Sequence, residues 1–124
     1  MDDELEKLQG TWHMVALEVE GAKMGPHVFK GSKIVVKGNR FDTISMGATY
    51  AGTVSVDPTK SPRRLDVMFT DGPHQGHSSL AIYELDGDTW KLCLGFAGNK
   101  RPDAFLTTAR SGHALEILTR GPDA

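Results

Sequence analysis

Most of the chain consists of short runs in which apolar and polar residues alternate, each run ending at glycine or another turn-forming residue. Residues 2–9 are the exception, because Leu5 and Leu8 recur at helical spacing on one face and acidic residues occupy the first turn. Residues 11–20 form the longest alternating run and predict a long first strand. The other segments with a strand pattern are 33–37, 40–46, 49–56, 64–70, 77–85, 89–96, 104–109 and 114–120.

The residues that connect these segments favour β-hairpin turns. Gly38-Asn39, Asp86-Gly87 and Ser111-Gly112 supply residues that tolerate positive φ between strand-like flanks. Turn signals recur at spacings of about 8 to 12 residues, which is typical of a meander of consecutive antiparallel strands. We therefore predict an all-β fold, an antiparallel up-and-down β-barrel of eight or nine strands with a short N-terminal helix, because closure removes the exposed edges of a meander. A barrel of this size has room for one small ligand.

The length and the charge of the chain indicate how many domains it has and which kinds of partner are unfavourable. The chain has 124 residues, 14 basic and 16 acidic side chains and a formal net charge of −2, and this length predicts a single domain over residues 1–124. Charges of both signs are spread along the chain, so no basic patch predicts nucleic acid or an anionic membrane as a partner. No apolar run approaches the roughly 20 residues of a membrane-spanning helix, and the acidic N-terminus is not typical of an export signal. We expect a soluble, cytoplasmic protein.

Cys93 is the single cysteine, so no disulfide can form within the chain. It lies mid-strand among apolar neighbours and has no adjacent histidine. A reactive thiol needs a lowered pKa, so this position predicts a buried, inert side chain.

Two segments near the two ends of the chain carry a familiar pair of signals. Gly10-Thr11-Trp12 lies between the N-terminal helix and the first long strand, and the last strand ends at Arg120. This arrangement resembles that of the calycins, in which a tryptophan of the first strand closes one end of the barrel and a late arginine lies across its ring. The resemblance implies that Trp12 is buried in a cation–π contact with Arg120.

A closer resemblance covers nearly the whole chain. The chain is similar to a family of small lipocalin-like domains that is common in planctomycetes and other environmental bacteria and to which no activity is generally attached. Its motifs correspond to Leu8-Gln9-Gly10-Thr11-Trp12, Glu18, Gly21, Asp57-Pro58-Thr59-Lys60, Pro62, Leu65-Asp66, Asp71-Gly72-Pro73, Gly76, Ile82-Tyr83-Glu84-Leu85-Asp86-Gly87-Asp88, Leu92-Cys93, Arg101-Pro102 and Phe105. The chain departs from the family at His74, His77 and Ala81. The resemblance implies the lipocalin-like barrel, while fold alone does not determine a function.

Two histidines lie three residues apart in the glycine-rich segment 72–77. His74 and His77, together with Asp66 and Glu18, offer nitrogen and oxygen ligands for a divalent metal ion with an open position for water. An all-oxygen site favours calcium, whereas imidazoles favour zinc. The alternative is that both histidines are solvent-facing loop residues, because this spacing does not place two side chains on one face outside a helix.

Strand alternation gives a further prediction for the first strand. If Trp12 faces the barrel interior and the alternation continues, Met14, Ala16 and Glu18 face inward as well. Glu18 then lies at the end of the barrel opposite Trp12, which is the open mouth.

Polar side chains within the predicted strands supply the remaining candidates. We predict that Glu18, Asp66 and Tyr83 line the mouth and act in catalysis, for example as a general base, and that Met14, Tyr83 and Arg101 bind a ligand. A charge inside a barrel needs a partner, which Arg101 provides if it pairs with Glu18 or Asp66. The alternative is a buried ion-pair network that fixes the strand register.

These observations favour a barrel that binds a small, partly apolar molecule. One alternative is a hydrolase of ester or phosphoester bonds, phosphotriesters included, in which a divalent ion activates water. Another is an interaction domain with a filled interior. The usual motifs of serine hydrolases and nucleotide-binding enzymes are absent from the sequence, and oligomeric state is left open.

Overall fold

The computed structural model describes residues 3–45, 47–96 and 99–121. Asp2, the first residue of the predicted helix 2–9, and Met46, the last residue of the predicted strand 40–46, lie outside these ranges. The described elements are α1 (Asp3–Lys7), β1 (Gly10–Val19), β2 (Ala22–Lys23), α2 (Pro26–Phe29), β3 (Lys33–Lys37), β4 (Arg40–Ser45), β5 (Ala48–Asp57), β6 (Arg63–Asp71), β7 (Ser78–Asp86), β8 (Thr89–Gly95) and β9 (His113–Arg120). Within this part of the chain, no helix has the length and apolar character needed to cross a membrane.

The described strands form an antiparallel up-and-down barrel. From β3 to β9 each strand pairs with the next along the chain, and β1 closes the ring by pairing with β3 on one side and β9 on the other. Eight of the described strands form the barrel, and the two-residue β2 adds to the far end of β1. The predicted all-β barrel with a short N-terminal helix is confirmed, and it is consistent with a calycin-like fold.

Segment 104–109 is not a strand, contrary to the prediction. Because β8 and β9 pair directly, with Gly95 opposite His113, this segment has no neighbouring strand to join. It belongs to residues 99–112, here called the outer loop, which cover the outer face of the sheet. The Cys93 thiol contacts the Leu106 carbonyl at 3.7 Å, for example. Conversely, β2 and α2 lie between the predicted strands 11–20 and 33–37, where the sequence pattern predicts neither a strand nor a helix.

The closed end of the barrel is built around Trp12, which is fully buried. The guanidinium of Arg120 lies 4.3 Å from the centre of the Trp12 ring, which confirms the predicted cation–π contact. The Trp12 indole N–H donates to the Leu8 carbonyl at 2.9 Å, and Leu5 and Leu8 are themselves buried. Helix α1 is thereby fixed across this end.

A bulge in β1 reverses the direction of its later side chains. Met14 pairs with Leu118, but the next pair along the strand is Ala16 with Ile117, so Val15 is the extra residue. Beyond the bulge Leu17 faces the interior, whereas Ala16 is exposed on the outside. The prediction that alternation continues unbroken from Trp12 is therefore wrong.

Candidate functional site

The barrel encloses a cavity of about 200 Å³, which lies next to the closed end that Trp12 fills. Its walls are mainly apolar and include Leu17, Val36, Phe41, Val54, Leu65 and Leu92. An apolar cavity of roughly 150 Å³ holds a benzene-sized molecule, so this one accommodates a ligand of about ten non-hydrogen atoms. Met14, predicted from the sequence to bind ligand, lies in the wall.

Glu116 brings a carboxyl group into this apolar cavity. It lies on β9, with Leu17 opposite on β1 and Leu92 opposite on β8. No described residue forms a hydrogen bond or an ion pair with the carboxyl group, and burial raises the pKa of Glu116 from 4.5 to about 7. Among the described residues that line the cavity, Glu116 is the one with a carboxylic side chain.

Aromatic rings border the cavity at the end opposite Trp12. Tyr50 and Phe69 are 5.8 Å apart, and the His74 ring lies 5.4 Å from each of them, stacked on Tyr50 at an interplanar angle of 23°. His74 therefore packs as an aromatic ring at the rim. It lies in the loop between β6 and β7 and lines the cavity there.

Gly52 allows β5 and β6 to approach closely beneath this aromatic rim. The pairing of β5 with β6 shifts register between Ala51 and Gly52. A Cβ atom at Gly52 would lie 2.0 Å from the Met68 carbonyl oxygen, so no larger residue fits without displacing the backbone. Phe69, which pairs with Gly52, and Tyr50, two residues before Gly52, lie next to this close approach.

Glu18 faces away from the cavity. Its carboxylate accepts a hydrogen bond from the Thr107 hydroxyl at 2.6 Å, and the same hydroxyl accepts from the backbone N–H of Gly21 at 2.8 Å. The bulge at Val15 is the cause, because it turns Glu18 toward the outer loop. The geometry makes Glu18 an anchor of that loop.

Asp66 and Arg101 also meet outside the barrel. Leu65 and Val67 line the cavity, so Asp66 between them points outward. Arg101 Nη2 lies 2.7 Å from Asp66 Oδ1, an ion pair not aligned as a hydrogen bond, and Arg101 Nη1 donates to the Ala81 carbonyl at 2.8 Å. The expected pair of Arg101 with Asp66 is present, but it holds the outer loop to the sheet rather than lining the mouth.

Tyr83 lies at the closed end and not at the mouth. It is fully buried, and its hydroxyl donates to the carboxylate of Glu4 on α1 at 2.6 Å. Arg63 and Lys7 lie 3.7 and 3.5 Å from the same carboxylate. Tyr83 therefore secures the helix, and the catalytic and ligand-binding roles expected for it stay predictions.

The predicted metal ligands do not lie together. Glu18 and Asp66 contact different partners on the outside, His74 packs at the rim, and His77 is exposed. Across residues 3–45, 47–96 and 99–121, no three His, Cys, Asp or Glu side chains are placed to hold a metal ion. The calcium or zinc site stays a prediction that this geometry does not favour.

Sequence reasoning missed Glu116, although the sequence contained a signal for it. Arg120 pairs with Trp12, and alternation along β9 from that point places Leu118 and Glu116 on the inner face. Counting from the C-terminal strand gives the right direction because β9 is unbroken, whereas β1 contains the bulge.

The single cysteine, Cys93, is buried as predicted, and burial is the main cause that raises its pKa to about 11.

The chain was compared with models of protein families, with curated proteins and with solved structures, and none of them matches it.

Proposed function

We propose that this protein binds a small, largely apolar molecule inside the barrel. The observation that carries the proposal is the cavity of about 200 Å³, whose apolar wall is interrupted by the carboxyl group of Glu116. Concave, mainly apolar sites with one or a few polar groups are typical of small-molecule binding. The Trp12–Arg120 contact also supports our proposal that the chain is a lipocalin-like domain of the type its motifs resemble.

The metal-dependent hydrolase has less support, because its four expected ligands lie on different parts of the molecule. The filled interaction domain is disfavoured for a different reason. Its interior would leave no room for a ligand, whereas this barrel contains a cavity of about 200 Å³ with Leu17 and Val54 in its wall.

Binding of 2-phenylethanol, a neutral aromatic probe that fits the cavity, tests the proposal. We expect saturable NMR shifts at the amides of Leu17 and Leu92. Ala81 lines the cavity and Ala16 is exposed on the outer face, so Ala81→Phe blocks the site and Ala16→Phe is the matched control.

The expected result is at least about a tenfold loss of affinity in Ala81→Phe and none in the control. Unchanged binding by a folded Ala81→Phe, or shifts confined to the outer face, would contradict the proposal. A second filling variant, Ala114→Leu, serves if Ala81→Phe does not fold, since Ala114 also lines the cavity.

A further inference from the structure

We propose that the cavity prefers a protonated primary amine on an aromatic or aliphatic body of about ten non-hydrogen atoms, with the ammonium group bound by Glu116. This inference rests on the proposed function and specifies the ligand class of the same site. It starts from the carboxyl group of Glu116, which lies in the cavity wall without a described partner.

An ionised carboxylate in an apolar cavity is costly unless a ligand supplies the opposite charge or hydrogen-bond donors. Leu17 and Leu92, on the two neighbouring strands, offer neither. A primary ammonium group supplies both, because it carries a positive charge and three N–H donors. An anionic ligand would place a second negative charge beside Glu116, so the site discriminates against acids.

The remaining wall suits the body of such an amine. Phe41, Phe69 and Trp90 present aromatic surface to the cavity. No Lys or Arg side chain lines the cavity among the described residues, so no resident cation competes for Glu116. The other titratable side chains in the wall are Tyr50 on β5 and His74 at the rim, and the described parts of the remaining strands contribute none.

Three probes of similar size separate charge from shape: 2-phenylethylamine, 2-phenylethanol and phenylacetate. At pH 7.5 we expect the amine to bind the protein at least about tenfold more tightly than the alcohol. The acid should bind more weakly than the alcohol. Isothermal calorimetry, or NMR where the affinity is low, gives the three constants.

Glu116→Gln should abolish the preference for the amine while the alcohol still binds. Glu18→Gln is the matched control, because it makes the same change on the outer face, three residues after the bulge at Val15. If alcohol and amine bind equally well to the wild-type protein, or if Glu116→Gln leaves the preference intact, the amine inference is overturned while the proposed cavity function stands. If none of the three probes binds in the cavity, both are overturned.

Discussion

Leu17 of β1 and Glu116 of β9 are paired across the barrel wall, with both side chains on its inner face. The pairing follows from the bulge at Val15, which brings Leu17 rather than Ala16 to the interior. An aliphatic neighbour gives the carboxylate no hydrogen bond, and burial holds the pKa of Glu116 at about 7. The carboxyl group in the cavity therefore changes between its neutral and its charged form near neutral pH.

Glu116→Gln should stabilise the protein at pH 8 and change its stability little at pH 4. The folded protein holds the Glu116 proton more tightly than the unfolded chain, because the pKa rises from 4.5 to about 7 on folding. The free energy of unfolding therefore falls as pH rises through this window, by up to about 3 kcal/mol. Urea unfolding of both proteins at pH 4 and pH 8 measures the effect.

The control for this experiment is Glu6→Gln on the exposed face of α1. It removes a carboxyl group that water solvates in the folded protein. Its effect on the free energy of unfolding should therefore not change between pH 4 and pH 8 as the effect of Glu116→Gln does. Equal behaviour of the two variants would show that the Glu116 carboxyl is solvated in the folded protein.

Amine affinity should increase as pH rises from 6 to 8, while the affinity for 2-phenylethanol should not. The reason is that Glu116 must be ionised to pair with the ammonium group, and a primary amine stays protonated until about pH 10. His74→Asn checks that the histidine at the rim is not responsible, and this variant should keep the same pH dependence. If the pH dependence of amine affinity disappears in His74→Asn, His74 and not Glu116 is its cause, and our account is contradicted.

Arg120→Lys should destabilise the closed end by about 2 kcal/mol. Arg120 donates to the carbonyls of Gln9 and Lys7 while its guanidinium covers Trp12, and a single ammonium group cannot make all three contacts. Tryptophan fluorescence during urea unfolding reports the change. Asp88→Asn is the comparison, because the Asp88 carboxylate that pairs with Arg120 is exposed and its loss should cost less than about 1 kcal/mol.

Tyr83→Phe should lower stability by about 1 to 3 kcal/mol without changing ligand affinity. The substitution removes the hydroxyl that donates to Glu4, which fixes α1, and Tyr83 does not line the cavity. Thermal unfolding and probe titration on the same samples separate the two effects. A large loss of probe affinity with normal stability would return Tyr83 to the binding role predicted from sequence.

The barrel was predictable because strand alternation and turn residues are local signals, and the Trp12–Arg120 contact was predictable because the motif resembles a known arrangement. The direction of Glu18 was not, because one residue, Val15, reverses the direction of all the later side chains of β1. Nothing in the alternation of residues 11–20 marks where a strand bulges. An inward Glu18 was therefore expected, whereas the direction of Glu116 follows from alternation along the unbroken β9, counted from Arg120.

The outer loop accounts for the rest of the difference. Segment 104–109 has strand-like residues, yet it packs against the sheet through Thr107 and Leu106 instead of joining it. Whether such a segment joins a sheet depends on a free neighbouring edge, which is a property of the whole barrel. Glu18, Asp66 and Arg101 looked like site residues because polar groups that hold a loop and polar groups that bind a ligand are the same residue types.

A pH titration of the Glu116 side-chain carboxyl carbon by ¹³C NMR, assigned with the Glu116→Gln spectrum, tests the central claim most directly. Our account predicts a midpoint near 7, because the carboxyl group lies in an apolar cavity without a described partner. A midpoint near the ordinary value of 4.5 would contradict it, since that result would place the carboxyl group in water rather than in the binding cavity.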